Sequence, residues 1–180
     1  MIEGAAQTRD KTAVTPEAME KICAELRDMF DFTIIDSPAG IEQGFQNAVV
    51  GADEIVVITT PHVSAIRDAD RVIGLVEAAE KQQISLVVNR LQPEMVRRGE
   101  MLDIPDMLDI LSIPPLGIIP EDEAIVTTSN KGELATQMEK SLAGQAYKNI
   151  ARRILGEDVP FMSLDTTDGF LKWLKRLLKL

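Results

Sequence analysis

Histidine and cysteine are almost missing from this sequence, which has one of each among its 180 residues. A disulfide needs two thiols, so Cys23 alone excludes one within the chain, and its spacing from Met19 and Leu26 is typical of the apolar face of a helix. His62 has no second histidine and no cysteine near it in the sequence, which favours a loop residue over a zinc ligand.

Long hydrophobic runs are also lacking. Runs such as 55–58 (IVVI) are far shorter than the ~20 residues that a membrane-spanning helix needs. Residues 1–11 contain no apolar core of the kind that a secretory signal requires. We therefore expect the protein to stay in the compartment where it is made, the cytoplasm.

Positive charge is scarce, because 19 Lys and Arg residues stand against 29 Asp and Glu residues, giving a net charge of −10. This balance argues against a nucleic-acid-binding protein, since the phosphate backbone attracts clustered basic residues. The exception is the segment 170–180, which holds four basic residues and no acidic one. The two parts of the chain are therefore predicted to face different partners.

Strand and helix patterns alternate along the chain. Short runs rich in isoleucine and valine predict strands buried on both faces, at 32–36, 54–59, 84–89 and 115–119. Helical patterns lie around them, at 16–30, 41–51, 64–82, 104–112 and 138–155. This alternation predicts an α/β fold with a parallel sheet flanked by helices.

The candidate site residues follow the predicted strands, because ligands of open α/β sheets bind outside the carboxyl ends of the strands. Asp36 can hold Mg²⁺ through water, and Gly40 allows a backbone amide to approach a phosphate closely. Asn89 offers an amide to the edge of a base, and the backbone around Pro120 can line the same pocket. Each of these residues alone is also common in turns and at the ends of strands. Only the four together indicate a nucleotide site.

The helix predicted after Ser64 carries Arg67, Asp68, Asp70 and Arg71. Such a cluster is either a solvated helix face or a partner surface, and the sequence alone favours the former.

Residues 157–168 lack periodicity and are predicted to be a linker, followed by an amphipathic helix over 169–180. One face of this helix is basic, with Lys172, Lys175, Arg176 and Lys179. The other face is apolar, with Phe170, Leu171, Trp173, Leu174, Leu177, Leu178 and Leu180. This pattern is typical of a helix that lies on an anionic membrane surface. Docking on its own domain and binding in the groove of a partner protein are the alternatives.

Together these features resemble the ParA/MinD family of deviant-Walker P-loop ATPases. The matching stretches are 6–11 (AQTRDK), 36–42 (DSPAGIE), 64–71 (SAIRDADR), 98–102 (RGEML), 119–122 (IPED), 129–132 (SNKG) and 169–172 (GFLK). The resemblance implies a SIMIBI-type P-loop domain that binds ATP and Mg²⁺. It also implies that the domain dimerises with ATP, attaches to membrane lipids, recruits the division inhibitor MinC and is discharged by MinE.

By this resemblance Asp36 is the Walker B aspartate, which binds Mg²⁺ through water, and Gly40 senses the γ-phosphate. Asn89 and Pro120 would belong to the adenine pocket, and Arg67 with Asp68 would couple nucleotide state to partner binding. The expected function is division-site placement on the inner face of the plasma membrane, or in a plastid stroma.

One motif departs from the family: no G-K-[ST] occurs in the sequence. We therefore expect residues 1–156 to form a partial ATPase domain that begins downstream of the phosphate loop. We also predict that the chain alone neither binds ATP tightly nor hydrolyses it, because the groups that stabilise phosphoryl transfer are missing. A fragment of an ATPase, a non-catalytic membrane-anchored module and one half of a two-chain ATPase all remain open.

Overall fold

The computed structural model describes residues 14–38 and 40–164. Its helices are α1 (Pro16–Met29), α2 (Gln43–Gly51), α3 (Val63–Ala78), α4 (Pro93–Arg97), α5 (Ile104–Leu111), α6 (Glu123–Lys131) and α7 (Leu142–Ile154), with a 3₁₀ turn at Ala135–Gln137. Its strands are β1 (Ile55–Thr59), β2 (Ile84–Leu91) and β3 (Pro115–Pro120). The five predicted helices and three of the four predicted strands are therefore confirmed. The predicted membrane helix over 169–180 lies outside the described residues.

The part of the chain that the structure describes divides into two compact units, one extending to Ile55 together with Gly74–Gln83, and the other of Val56–Ile73 together with the residues from Ile84 onward. In the first unit, α1 begins where the sequence predicts it. The Thr15 hydroxyl accepts a hydrogen bond of 3.2 Å from the Ala18 amide, and Pro16 occupies the first helical position, where no amide is needed. Thus local sequence alone sets this helix start.

Polar contacts join the elements of the first unit. The Asn47 amide donates to the Val14 carbonyl at 2.7 Å, and the Arg27 guanidinium donates to the Asp53 carboxylate at 2.7 Å. The Lys81 ammonium donates to the carbonyls of Val50 and Ala52 at 3.1 and 2.7 Å. Lys81 therefore caps the end of α2, where the last carbonyls have no partner within the helix.

The second unit contains the sheet, in the order β1-β2-β3, with β2 and β3 parallel. Helix α7 covers one face of it, where Val87 and Ile119 pack with Ala143, Ala146 and Ile150. Leu86 and Val88 point to the opposite face and are fully buried as well. The predicted α/β fold, a parallel sheet flanked by helices, is confirmed.

The strand predicted at 32–36 is wrong, since no strand is formed between Phe30 and Pro38. Ile34 is 93% exposed, whereas the prediction required burial on both faces. An apolar run favours extended backbone, but a strand exists only where its amides and carbonyls pair with a neighbouring strand. No strand among the described residues pairs with this run.

Candidate functional site

Asp36 and Gly40 lie in the first unit, in the loop that leads to α2. Both are exposed, and Gly40 has φ of 101°, in the left-handed region that favours glycine. A Cβ atom on Gly40 would have no neighbour within 4 Å. The backbone at Gly40 is therefore open to a ligand, and the conformation accounts for the glycine.

Asn89 and Pro120 lie in the second unit, at the carboxyl ends of the adjacent strands β2 and β3. Leu91 is paired with Pro120, and the Glu121 amide donates to the Leu91 carbonyl at 2.9 Å. Pro120 is buried and Asn89 is half-buried. The structure thus brings these two predicted residues together, whereas Asp36 and Gly40 belong to the other unit.

The loop after β3 is fixed by Asp122, which sequence reasoning treated only as loop backbone. One carboxylate oxygen accepts from the Ala124 amide at 2.9 Å and so caps α6. The other accepts from the Ser141 hydroxyl at 2.8 Å and from the Ala143 amide at 3.1 Å at the start of α7. Aspartate directly before Glu-Ala is an N-cap signal, so part of this role was readable from the sequence.

These contacts also set the charge of the group. Burial alone raises the pKa of Asp122, but the hydrogen bonds from Ala124, Ser141, Ala143 and Leu142 outweigh it and lower the pKa. The carboxylate therefore stays ionised and holds β3, α6 and α7 together beside the candidate site.

Arg67 and Asp68 lie on the exposed face of α3. The opposite face buries Ile66, Ala69 and Ile73, as the helical spacing predicts. The α3 start is tied to the end of β1, because the Thr59 hydroxyl donates to the Ala65 carbonyl at 3.1 Å. Both charged residues are therefore presented to solvent on a helix whose position follows from the sheet.

The first part of the predicted linker is packed on the second unit. The Arg153 guanidinium donates to the carbonyls of Leu116, Val159 and Pro160 at 2.9, 2.9 and 3.0 Å, and lies 4.1 Å from the centre of the Phe161 ring. Its pKa is lowered by burial. Val159 and Leu164 are buried, so the chain is held on the domain as far as residue 164.

In the part of the chain that the structure describes, no group of three or more His, Cys, Asp or Glu residues is placed to hold a metal ion. None of the helices described is long and apolar enough to cross a membrane.

Comparison with known proteins decides the family. A family model described as "ParA: NUBPL iron-transfer P-loop NTPase" matches residues 11–155. The chain belongs to the ParA/MinD family of P-loop NTPases. Among its ParA/MinD relatives, the septum site-determining protein MinD of Synechocystis is 52% identical over 159 residues, which are 88% of this chain and 60% of that protein. MinD of Bacillus subtilis is 51% identical over 162 residues, 89% of this chain and 60% of that protein.

Solved structures of the ParA/MinD family share the fold. The MinD cell division protein of Aquifex aeolicus has a TM-score of 0.80 and 44% identity, covering 84% of this chain and 65% of that one. The Aquifex aeolicus MinC:MinD complex matches with the same score and identity, covering 63% of that chain. This chain spans about three fifths of the length of the curated relatives named above.

Proposed function

We propose that this chain carries the base-binding, partner-binding and membrane-binding functions of a MinD-type ATPase that helps to place the division septum. The observation that carries the proposal is that Asn89 and Pro120 lie at the carboxyl ends of two paired parallel strands, within a chain 52% identical to a septum site-determining protein. Ligands of this class of sheet bind at that edge. The proposal includes the whole cycle of ATP binding, dimerisation and release from the membrane by a MinE-like protein.

The residues fit one end of Mg-ATP better than the other. Asn89 is half-buried near the end of β2, and the neighbouring strand β3 ends in the buried Pro120, which suits an adenine base. Asp36 is an exposed carboxylate that suits Mg²⁺ held through water, and Gly40 leaves its backbone open to the γ-phosphate. The sequence contains no G-K-[ST], so it lacks the lysine and the amide nest that bind phosphates in this class.

Isothermal titration calorimetry with ATP and Mg²⁺ tests the phosphate end. We expect the chain alone to show no micromolar affinity and no hydrolysis, because a base contact and a single carboxylate leave the phosphate charges unbalanced. Adenosine serves as the control, since its affinity depends only on the base and ribose. Micromolar binding of Mg-ATP would contradict the prediction.

The partner surface is proposed to include Arg67 and Asp68 on α3. The Aquifex aeolicus MinD protein is known in a complex with MinC, and this chain is 44% identical to it. We expect Asp68→Arg to weaken binding of Aquifex aeolicus MinC at least tenfold, measured by surface plasmon resonance, because reversing a contacting charge creates repulsion. Glu77→Arg, at an exposed position on the same helix, is the matched control; equal losses in both variants would contradict the proposal.

Membrane attachment is proposed to use the helix over 169–180, on the inner face of the plasma membrane or in a plastid stroma. Four basic residues near an anionic leaflet contribute on the order of 4 kcal/mol, before apolar insertion is added. One copy would bind weakly, and two copies in a dimer would bind much more tightly. Deleting 169–180 should abolish co-sedimentation with phosphatidylglycerol vesicles, while neutral phosphatidylcholine vesicles bind neither form.

The second candidate is a non-catalytic membrane-anchored interaction module, and the absence of G-K-[ST] from the sequence favours it. The same vesicles separate the two candidates. Vesicle binding that does not change with ATP supports the non-catalytic module, whereas ATP-dependent binding requires a completed phosphate site.

A further inference from the structure

The end of β2 contains a β-bulge at the proposed base site. Val88 pairs with Ile118 and Leu91 pairs with Pro120, so Asn89 and Arg90 together stand opposite the single residue Ile119. Burial shows the same extra residue, because Leu86, Val88 and Leu91 are all fully buried although their spacing is two and then three. In an unbroken strand, the next position after Val88 on the same face would be residue 90. The bulge therefore removes Asn89 and Arg90 from the regular pleat.

This bulge has a conformational cost. Arg90 has φ of 60°, a left-handed conformation that is unfavourable for an L-residue with a side chain, and it is neither glycine nor asparagine. Residues remain in such conformations only where the surroundings over-determine them, and bulges next to binding sites commonly redirect a side chain.

A bidentate ion pair holds the bulge. The Nε and Nη2 atoms of Arg90 donate to the two carboxylate oxygens of Glu121 at 2.8 and 3.3 Å. Glu121 directly follows Pro120, and its own amide donates to the Leu91 carbonyl at 2.9 Å. The second bulge residue, Arg90, is thus tied to the loop beyond β3 through its side chain, and Leu91 after it is tied through its backbone. Fork-to-fork geometry of this kind fixes orientation as well as distance.

The side chain of Asn89, the residue directly before these two ties, is available to a ligand. It is half-buried, and its amide forms no hydrogen bond within the described part of the chain. An amide carries a donor and an acceptor side by side, which can match the 6-amino group and an adjacent ring nitrogen of a purine. Both bonds form together only if the amide is held at the right distance and angle from the base.

We propose that Arg90, through its bridge to Glu121, is a positioning residue that places the Asn89 amide for bidentate binding of a 6-aminopurine. The inference rests on the proposed function, since it presumes that a base occupies this edge of the sheet. The new element is the cause of the Asn89 position: the bulge and the Arg90–Glu121 ion pair hold the amide in place without contacting the base.

Two nucleosides that differ by one group test the proposal: adenosine and purine riboside, which lacks the 6-amino group. Their affinities for the full chain are measured by NMR titration of the Asn89 side-chain amide, identified by its loss in Asn89→Ala. We expect the chain to prefer adenosine about tenfold, the size of discrimination that a bidentate base contact gives. Arg90→Ala and Glu121→Ala should each bring the ratio close to one, and the double variant should lower it no further.

The ratio separates positioning from stability, because general loosening of the fold weakens both nucleosides equally. Arg152→Ala is the matched control, since it breaks another exposed Arg–Glu pair, also of 2.8 Å, with Glu157, and its ratio should be unchanged. Glu121→Gln keeps the shape and should give an intermediate ratio. A ratio that stays high in the bridge variants, or that is already near one in the parent chain, overturns the inference alone. If the parent chain binds neither nucleoside, the proposed base site fails and the inference fails with it.

Discussion

At the scale of the residue, side chains that join separate elements matter more here than those that stand alone. Asp122 accepts hydrogen bonds from the starts of both α6 and α7, so one carboxylate satisfies amides that no helix can satisfy for itself. Arg153 similarly gathers three carbonyls from β3 and the chain beyond α7. Local sequence patterns do not reveal such residues fully, because half of each role depends on a distant segment.

Replacing Asp122 by asparagine should lower the free energy of unfolding by about 1–2 kcal/mol at neutral pH, the usual cost of losing a helix cap and a charged acceptor. The new amide nitrogen is a donor and can accept a hydrogen bond neither from Ser141 nor from Ala143. Because the pKa of Asp122 is lowered in the fold, its stabilisation is present above the unfolded pKa and is lost as the pH falls through the folded pKa.

Urea unfolding followed by circular dichroism over a series of pH values measures this effect. The difference between the parent chain and Asp122→Asn should be largest near neutrality and should shrink below about pH 4. Asp70→Asn, at an exposed position on α3, should change the free energy of unfolding by less than about 0.5 kcal/mol. A difference that is constant with pH would show that the charge of Asp122 has no part in stability.

At the scale of the element, close packing of backbones decides which glycines are required. A Cβ atom on Gly144 would collide with the Ala135 carbonyl group, whose carbon atom would be 2.8 Å away. A backbone carbonyl cannot move aside as a side chain can, so Gly144→Ala must displace α7 from the 3₁₀ turn. Gly74 in α3 has no neighbour within 4 Å of the same added atom.

We therefore expect the same substitution to have opposite effects at the two positions. Gly144→Ala should destabilise the protein by about 1–3 kcal/mol through overpacking. Gly74→Ala should stabilise it by about 0.5–1 kcal/mol, because alanine favours a helix and restricts the unfolded chain. Thermal unfolding of both variants beside the parent provides the measurement; a stabilising Gly144→Ala would mean that α7 is not packed as described.

The helices and strands also show which elements sequence patterns can predict. The start of α1 was predictable because Thr15, Pro16 and Glu17 specify it locally, and β2 and β3 were predictable because their apolar runs are paired and covered. Helices α4 and α6 were missed, since one has five residues and the other buries only Thr128. At the candidate site, strand ends indicated Asn89 and Pro120, but the bulge and the bridge to Glu121 depend on strand register and could not be predicted.

At the scale of the whole molecule, each unit exposes apolar residues that the sequence pattern predicts to be buried. In the first unit Phe32 is 58% exposed and Ile34 is 93% exposed. In the second unit Ile58, on the face of β1 opposite Val57 and Thr59, is 64% exposed. Exposed apolar patches on a protein are typical of partner surfaces and of aggregation-prone sites. Phe32, Ile34 and Ile58 are therefore apolar surface that no other residue of the described part of the chain covers.

Isoleucine-to-threonine substitutions distinguish such exposed positions from core positions, because threonine keeps the β-branched shape and removes apolar surface. Ile34→Thr and Ile58→Thr should each change the free energy of unfolding by less than about 0.5 kcal/mol. Ile119→Thr, at a buried position under α7, should cost about 2–4 kcal/mol. The two exposed substitutions together should also lower binding of the dye 1-anilinonaphthalene-8-sulfonate and raise the concentration at which the chain aggregates. If Ile34→Thr destabilised the chain as much as Ile119→Thr, residues 32–36 would have to be paired and buried in solution, and the strand that the sequence predicts there would be right.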